Sequence, residues 1–298
     1  MTARGEGVLC LGRIYLDLVF SGLDAFPAPG REVYAERLTL HAGGGAFITA
    51  AYLAALGRPA ELGGLLPAAP FDAAVRAEAA ANGVGLTAAA SAEGVEPQLT
   101  VALTGRGDRA FLTRRSGPAL PPLDAPLALP GLRHVHLGEL ATLVETPEVL
   151  RVARARGLTV SADCGWDEAV FGAPELPELL AALDVFLPNE AEAAALLRAG
   201  VDPGRHCLTA VKLGPAGAEA REGNARVAAP AEPAEAVDTI GAGDAFNAGF
   251  LHAWLEGASL ARALALGNAC GAVAVRRRGG AGRLPSLRAL ARGTEAAE

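Results

Sequence analysis

Residues 237-VDTIGAGDAFNAGF-250 decide how this chain reads. Gly241 and Gly243 flank Ala242 just before an apolar run with helical spacing, so a helix begins at about Gly243. A helix N-terminus preceded by glycines lets several amide N–H groups converge on one anion. Asp244 falls in the first turn, beside that anion hole. A carboxylate there can take the proton of an acceptor hydroxyl while the converging amides stabilise charge on a phosphoryl group in transfer. A bare G-x-G-D is no more than a glycine turn with an acidic helix start, but the patterned stretch here is much longer.

Working outward, short apolar runs alternate with longer alanine- and leucine-rich stretches. Strands are predicted over residues 8–12, 61–65, 134–138, 159–162, 184–187 and 207–213. Helices are predicted over 46–56, 71–82, 147–156, 191–198, 243–256 and 260–276. This succession predicts a mostly parallel sheet covered by helices on both faces, with ligands at the carboxyl ends of the strands. Residues 16–40 and 98–115 interrupt it. They hold β-prone stretches such as LTVAL and RAFLTRR, joined by GRGD, and predict extra strands that form a small lid near the active face; an edge extension of the sheet is the alternative. Without an internal repeat or linker, residues 1–298 read as one domain ending in the polar tail GTEAAE.

Of 298 residues, 51% are hydrophobic and 20% charged, which supports a sizeable core and excludes a disordered chain. A net charge of -7 disfavours a nucleic-acid binder, which needs a basic surface, and suits a small polar ligand. The four cysteines (Cys10, Cys164, Cys207, Cys270) form no C-x-x-C pair, so they read as buried thiols in a reducing compartment. The N-terminus lacks a signal-type apolar region, and no apolar run approaches about 18 residues, so the expectation is a cytoplasmic protein without a membrane partner.

The stretch D-T-I-G-A-G-D-A-F-N-A-G-F resembles the C-terminal signature of the ribokinase or PfkB family of carbohydrate kinases, and the resemblance covers nearly the whole chain. Gly43-Gly44 before a helix ending in Leu56-Gly57 is similar to the family's first signature. Gly12 and Asp17 match its opening G-x-x-x-x-D, Asn189 and Glu192 its N-x-x-E, and Lys212-Leu213-Gly214-Pro215-Ala216-Gly217 the turn before the nucleotide pocket. The resemblance implies a three-layer α/β/α ribokinase-like fold with a small β-strand lid, and transfer of phosphate from ATP to a hydroxyl of a sugar-like acceptor. It makes Asp244 the base, with Gly241, Ala242 and Gly243 contributing the anion-hole amides, and gives Asp17, Gly43 and Gly44 the acceptor hydroxyls. Lys212, Gly214, Gly217 and Asn268 would hold ATP. Asn189 and Glu192 would support magnesium through water; without the resemblance that pair is simply a helix cap with an i+3 acid. A monovalent cation and a homodimer through the lid are also compatible with it. No G-x-x-x-x-G-K-[ST] occurs, so a Walker A mechanism is excluded.

The match fails in places. Ile48 stands where many sugar kinases carry an asparagine that contacts the acceptor, and Asp163-Cys-Gly-Trp166 lacks the Asn and Arg common in sugar-acid members. The acceptor therefore stays open between a sugar and a nucleoside, for which Phe47, Ile48 and Phe111 could form an apolar wall. A non-catalytic sugar sensor is the other class, against which the intact Asp244 argues. His134 and His136 share one strand face without a third ligand, and read as structural. Arg276, Arg277 and Arg278 read as solvated cations at a helix end.

Overall fold

The computed structural model describes residues 6–91, 97–105 and 108–293. The apolar run near the start forms β1 (Gly7–Leu11). Its side chains alternate, Val8 and Cys10 entering one buried cluster and Leu9 and Leu11 the other, so the strand is covered on both faces. There follow β2 (Tyr15–Ser21), β3 (Arg37–Gly43), α1 (Gly45–Leu56), β4 (Ala60–Leu66), α2 (Asp72–Asn82), β5 (Ala89–Ser91), β6 (Leu99–Gly105) and β7 (Asp108–Arg114). The middle of the chain gives β8 (Leu132–Leu137), α3 (Leu140–Glu145), α4 (Glu148–Ala155), β9 (Thr159–Asp163), α5 (Glu168–Phe171), α6 (Leu176–Ala181), β10 (Val185–Leu187) and α7 (Glu190–Arg198). The last elements are β11 (Leu208–Lys212), β12 (Ala218–Glu222), β13 (Ala225–Ala229), α8 (Ala242–Leu255), α9 (Leu260–Val275) and α10 (Arg288–Gly293).

The main sheet runs β13-β12-β11-β10-β9-β8-β1-β4-β5. It is parallel from β5 to β11 and ends in the antiparallel strands β12 and β13. Helices α1, α2, α8 and α9 bury one face and α3 to α7 the other. All the main-sheet strands and helices expected from the sequence form, with ends within two residues of those expected.

A second sheet, ordered β3-β2-β6-β7, forms from the two interrupting segments and is separate from the main sheet, not an extension of its edge. Residues 22–36, inside the first segment, contain no strand, because Pro27, Pro29 and Gly30 cannot continue a ladder. The centre of GRGD (106–107) and most of the polar tail (294–298) lie outside the described residues. Cys10, Cys164 and Cys270 are buried and Cys207 half-buried, all as free thiols. No helix among the described residues is long and apolar enough to cross a membrane.

Candidate active site

The N-termini of α1 and α8 and the carboxyl ends of β9 and β11 meet at one place. Gly241 (φ 74) turns the chain into α8 without any side-chain cap, leaving the first amides of the helix uncapped. The Ala242 amide makes a long bond of 3.4 Å to the Thr239 carbonyl, and the Gly243 amide has no acceptor among the described residues. Asp244 follows, half-buried, its backbone carbonyl accepting from the Thr49 hydroxyl of α1 at 3.3 Å. Burial first, then the neighbouring Asp163 charge, push the Asp244 carboxyl up to about 7, with Lys212 opposing and Glu192 adding to the rise.

Residues 43–45 tie this carboxylate to a second one. A Cβ on Gly45 would lie 2.8 Å from Asp244 Oδ1, and a Cβ on Gly43 would lie within 2.5 Å of the Asp17 carboxylate atoms. Only glycine admits both approaches. Asp17 projects from β2 opposite His41 of β3 and Thr100 of β6. Burial raises its carboxyl to about 6, against the Thr100 hydroxyl bond and the His41 charge. Glu78 in turn holds the His41 imidazole above its usual range, with Nδ1 3.7 Å from Glu78 Oε2.

Below the anion hole sits a charged cluster that the sequence did not reveal. Lys212, at the end of β11, donates from Nζ to Asp163 Oδ1 at 2.8 Å and to Asn247 Oδ1 at 3.2 Å. Asn247 Nδ2 donates to Asp163 Oδ2 at 2.6 Å. Burial alone would lower the Lys212 ammonium, but Asp163, Glu192 and Asp244 together outweigh it and hold it above its usual range. Its Nζ would be 3.3 Å from a Cβ on Gly243, which sets a fixed cation beside the first turn of α8. Lys212 is thus more than a residue of the turn flanking the nucleotide. Asp163 shares a strand face with Ser161 and Asn247 lies three residues beyond Asp244 on α8, but no spacing in the sequence joins either to Lys212.

A cavity of about 460 Å³ opens onto this cluster, lined by Lys212, Gly214, Gly217, Asn268, Ala242 and Gly243 among others. Apolar walls from Pro233, Phe246 and Val275 suit a flat heterocycle, and the uncapped helix start suits its phosphates. Asn268 is buried and donates to the Ala229 and Pro230 carbonyls, both at 3.0 Å. Asn189 and Glu192 form the capping box: Glu192 N–H donates to Asn189 Oδ1 at 2.9 Å and Asn189 N–H to Glu192 Oε2 at 2.8 Å. Burial, then Asp163, raise the Glu192 carboxyl, so it lies within the field of the site.

Other expected residues fall elsewhere. Ile48 is 5% exposed, its Cδ1 packed on Gly280, and it lines neither large cavity near the site. Phe47 is fully buried and cannot form a ligand wall; Phe111 is half-exposed on β7. His134 and His136 both bond the Ser161 hydroxyl, at 2.7 and 2.9 Å, in keeping with a structural role. No cluster of three metal-ligating side chains occurs among the described residues. Arg13 and Arg115, also unforeseen, gather Glu139, Glu145 and Asp167 beside the strand ends.

The architecture is that of the ribokinase-like kinases. The solved structure of a nucleoside kinase from Methanocaldococcus jannaschii superposes with a TM-score of 0.82 at 19% identity, covering 98% of this chain and 99% of that one. Arabidopsis thaliana ribokinase, solved with ribose and ATP, gives 0.82 at 22% identity over 98% and 99%. A sequence profile of the pfkB family carbohydrate kinases matches residues 6–287, and the chain belongs to that family. An ATP-dependent ribose-1-phosphate kinase from Halopiger xanaduensis is 39% identical over 155 residues, 49% of each chain, so this chain spans about half the length of that curated relative.

Proposed function

We propose that the protein transfers the γ-phosphoryl group of ATP to a hydroxyl of a small sugar or sugar-like acceptor, with Asp244 as the base. The observation that carries this reading is the glycine turn at residues 43–45, which holds the Asp17 carboxylate at one end and the Asp244 carboxylate at the other. Its end Cα atoms are at most about 7 Å apart, the scale of one sugar ring. An acceptor laid along the turn gives hydroxyls to Asp17 and its reacting hydroxyl to Asp244.

The acceptor oxygen attacks the γ-phosphorus, the bond to the β–γ bridging oxygen breaks, and the hydroxyl proton passes to Asp244. A carboxyl poised at about 7 is well matched to that proton. Charge spreading over the phosphoryl oxygens meets the amides of Gly241, Ala242 and Gly243 and the Lys212 ammonium, all fixed in advance. ATP fits the cavity floored by Ala242 and Gly243, with Asn268, Gly214 and Gly217 in its walls. Magnesium would be held through water by Glu192 and Asn189, because the capping box already engages Glu192 Oε2 and the single amide oxygen of Asn189; bound there, it would offset charge on the donor phosphates.

The face of the small sheet that carries Leu38, Leu40 and Leu112 leaves these side chains about half-exposed or more. A second copy of this chain is the partner proposed for it, since a flat apolar sheet face is self-complementary across a two-fold axis. The cytoplasm remains the proposed compartment. ADP release from ATP, screened over sugars, sugar phosphates and nucleosides with and without potassium, tests the kinase assignment. Absence of acceptor-dependent ADP from the whole panel would leave the sensor reading in its place.

A further inference from the structure

We propose that Arg13 is a positioning residue for the acceptor: it pins the junction between the small sheet and the main body, and so sets where Asp17 stands relative to Asp244. This rests on the kinase reading above. The two carboxylates belong to different bodies, Asp17 to β2 of the small sheet and Asp244 to α8 on the main sheet. An acceptor held between them fits only while the two bodies keep their relative placement. The chain crosses the junction four times: from β1 to β2, from β3 to α1, from β5 to β6, and from β7 towards β8. Arg13 stands in the first crossing and reaches each of the other three.

Its Nη1 donates to Gln98 Oε1 at 3.0 Å, where the chain enters β6, and to the Gly117 carbonyl at 2.8 Å, where it has left β7. Its backbone carbonyl abuts Gly44, at φ 97, so closely that a Cβ there would collide with it. Arg13 thereby touches the turn that carries both carboxylates. Nη2 serves the main body, donating to both oxygens of Glu145 at the end of α3, at 2.6 and 2.7 Å. Arg13 and Gln98 are each 4% exposed, so this is an interior joint and not a surface ion pair. A charge buried that deeply is costly unless every side of it is paired. The planar guanidinium fork can serve the crossings and the body at once, whereas a lysine ammonium is a single point. Arg115 adds a weaker tie at the margin. It directly follows β7 and pairs with Asp167, the residue before α5, at 3.0 Å and with Glu145 at 3.4 Å. Its side chain is 37% exposed, which leaves Arg13 as the main pin.

The test compares Arg13→Met and Arg13→Lys with the wild type in the full chain, reading KM for ATP and kcat/KM for the best acceptor of the panel. Misplacing a reacting group by about 1 Å costs on the order of 100-fold, so Arg13→Met is expected to lower acceptor kcat/KM by roughly 10- to 100-fold, with KM for ATP within about twofold. Arg13→Lys is expected to regain Tm, because an ammonium still pairs with Glu145, but not kcat/KM, because it cannot also serve Gln98 and Gly117. If Arg13→Met does not fold, Gln98→Met and Glu145→Gln each cut one side of the pin, and either should show the same split in smaller measure. Unchanged acceptor kcat/KM in the folded variants, losses of equal size for ATP and acceptor, or a lysine that restores activity along with Tm would overturn the proposal. Spin labels at Ala110→Cys on β7 and Arg151→Cys on α4, both exposed, with Cys207→Ser, measure the junction without turnover. Their distance distribution should broaden in Arg13→Met. One as narrow as in the wild type removes the pin and leaves the kinase reading, whereas broadening in a protein that turns over no acceptor removes the kinase reading and keeps the pin.

Discussion

Replacing Asp244 by Asn keeps the shape of the side chain and removes its capacity to accept a proton. The surroundings tolerate the exchange: the Thr49 hydroxyl bonds the backbone carbonyl of residue 244, and the side chain only has to fit against Gly45. General-base assistance contributes about 100- to 10,000-fold, so turnover should fall by that factor while ATP and acceptor still bind. The same substitution has a signature in stability. The Asp244 carboxyl is raised from an ordinary value of 3.8 to about 7, by burial and by Asp163. A group whose folded value lies above its unfolded one contributes stability below about pH 4 and loses it as pH rises through 7. Asparagine has no such dependence, so the variant should gain on the wild type as pH rises from 4 to 8. Coupled ADP-release kinetics and thermal unfolding at both pH values check the two outcomes. Turnover near wild type, or a Tm difference that does not grow with pH, would refute the placement of this carboxylate in a shared field with Asp163. Wild-type kcat/KM should correspondingly rise with pH to a midpoint near 7.

Glu192→Gln preserves the capping geometry and removes charge, so the magnesium concentration for half-maximal rate should rise; superimposable titrations would confine Glu192 to helix capping. Ile48→Ala should destabilise the fold by about 2–5 kcal/mol, the usual cost of truncating a core residue, measured by urea unfolding. If Ile48→Asn folds and changes the ratio of kcat/KM between matched hydroxy and deoxy acceptors, the side chain reaches the acceptor after all; an unchanged ratio leaves it in the core. Leu112→Glu on the exposed face of the small sheet should shift the protein to monomer in sedimentation velocity, and a wild type that is already monomeric would remove the proposed self-association.

The main sheet was readable because its signals are local. Apolar runs such as residues 8–11 are bounded by glycine, and the helices are long alanine- and leucine-rich stretches, so period and punctuation agreed. The β12–β13 hairpin was missed because AEARE and ARVAA are built from alanine and charged residues with weak strand preference. Gly223-Asn224 between them was the turn signal that could have found it. Helices α3, α5 and α6 are only four to six residues long, too short to establish a 3.6-residue period.

The site divides along the same line. The glycine turn and the start of α8 are each a contiguous stretch, so Gly43, Gly241 and Asp244 could be picked out from local spacing together with family pattern. The Lys212–Asp163–Asn247 cluster joins residues 35 to 84 positions apart, and nothing in the spacing of those three specifies that they meet. Only the order of strands does so, by laying β9 two places from β11, within reach of Asn247 on α8. Buried charge of this kind is costly unless paired, so the cluster is not there for stability alone. Breaking it with Asp163→Asn would leave the Lys212 ammonium beside the anion hole with one fewer anchor, and would remove the charge that lifts Asp244. The base would then titrate lower while the cation lost its fixed position, so the pH midpoint and kcat should fall together. A merely structural Asp163 would lower stability and leave the midpoint of the surviving activity where it was.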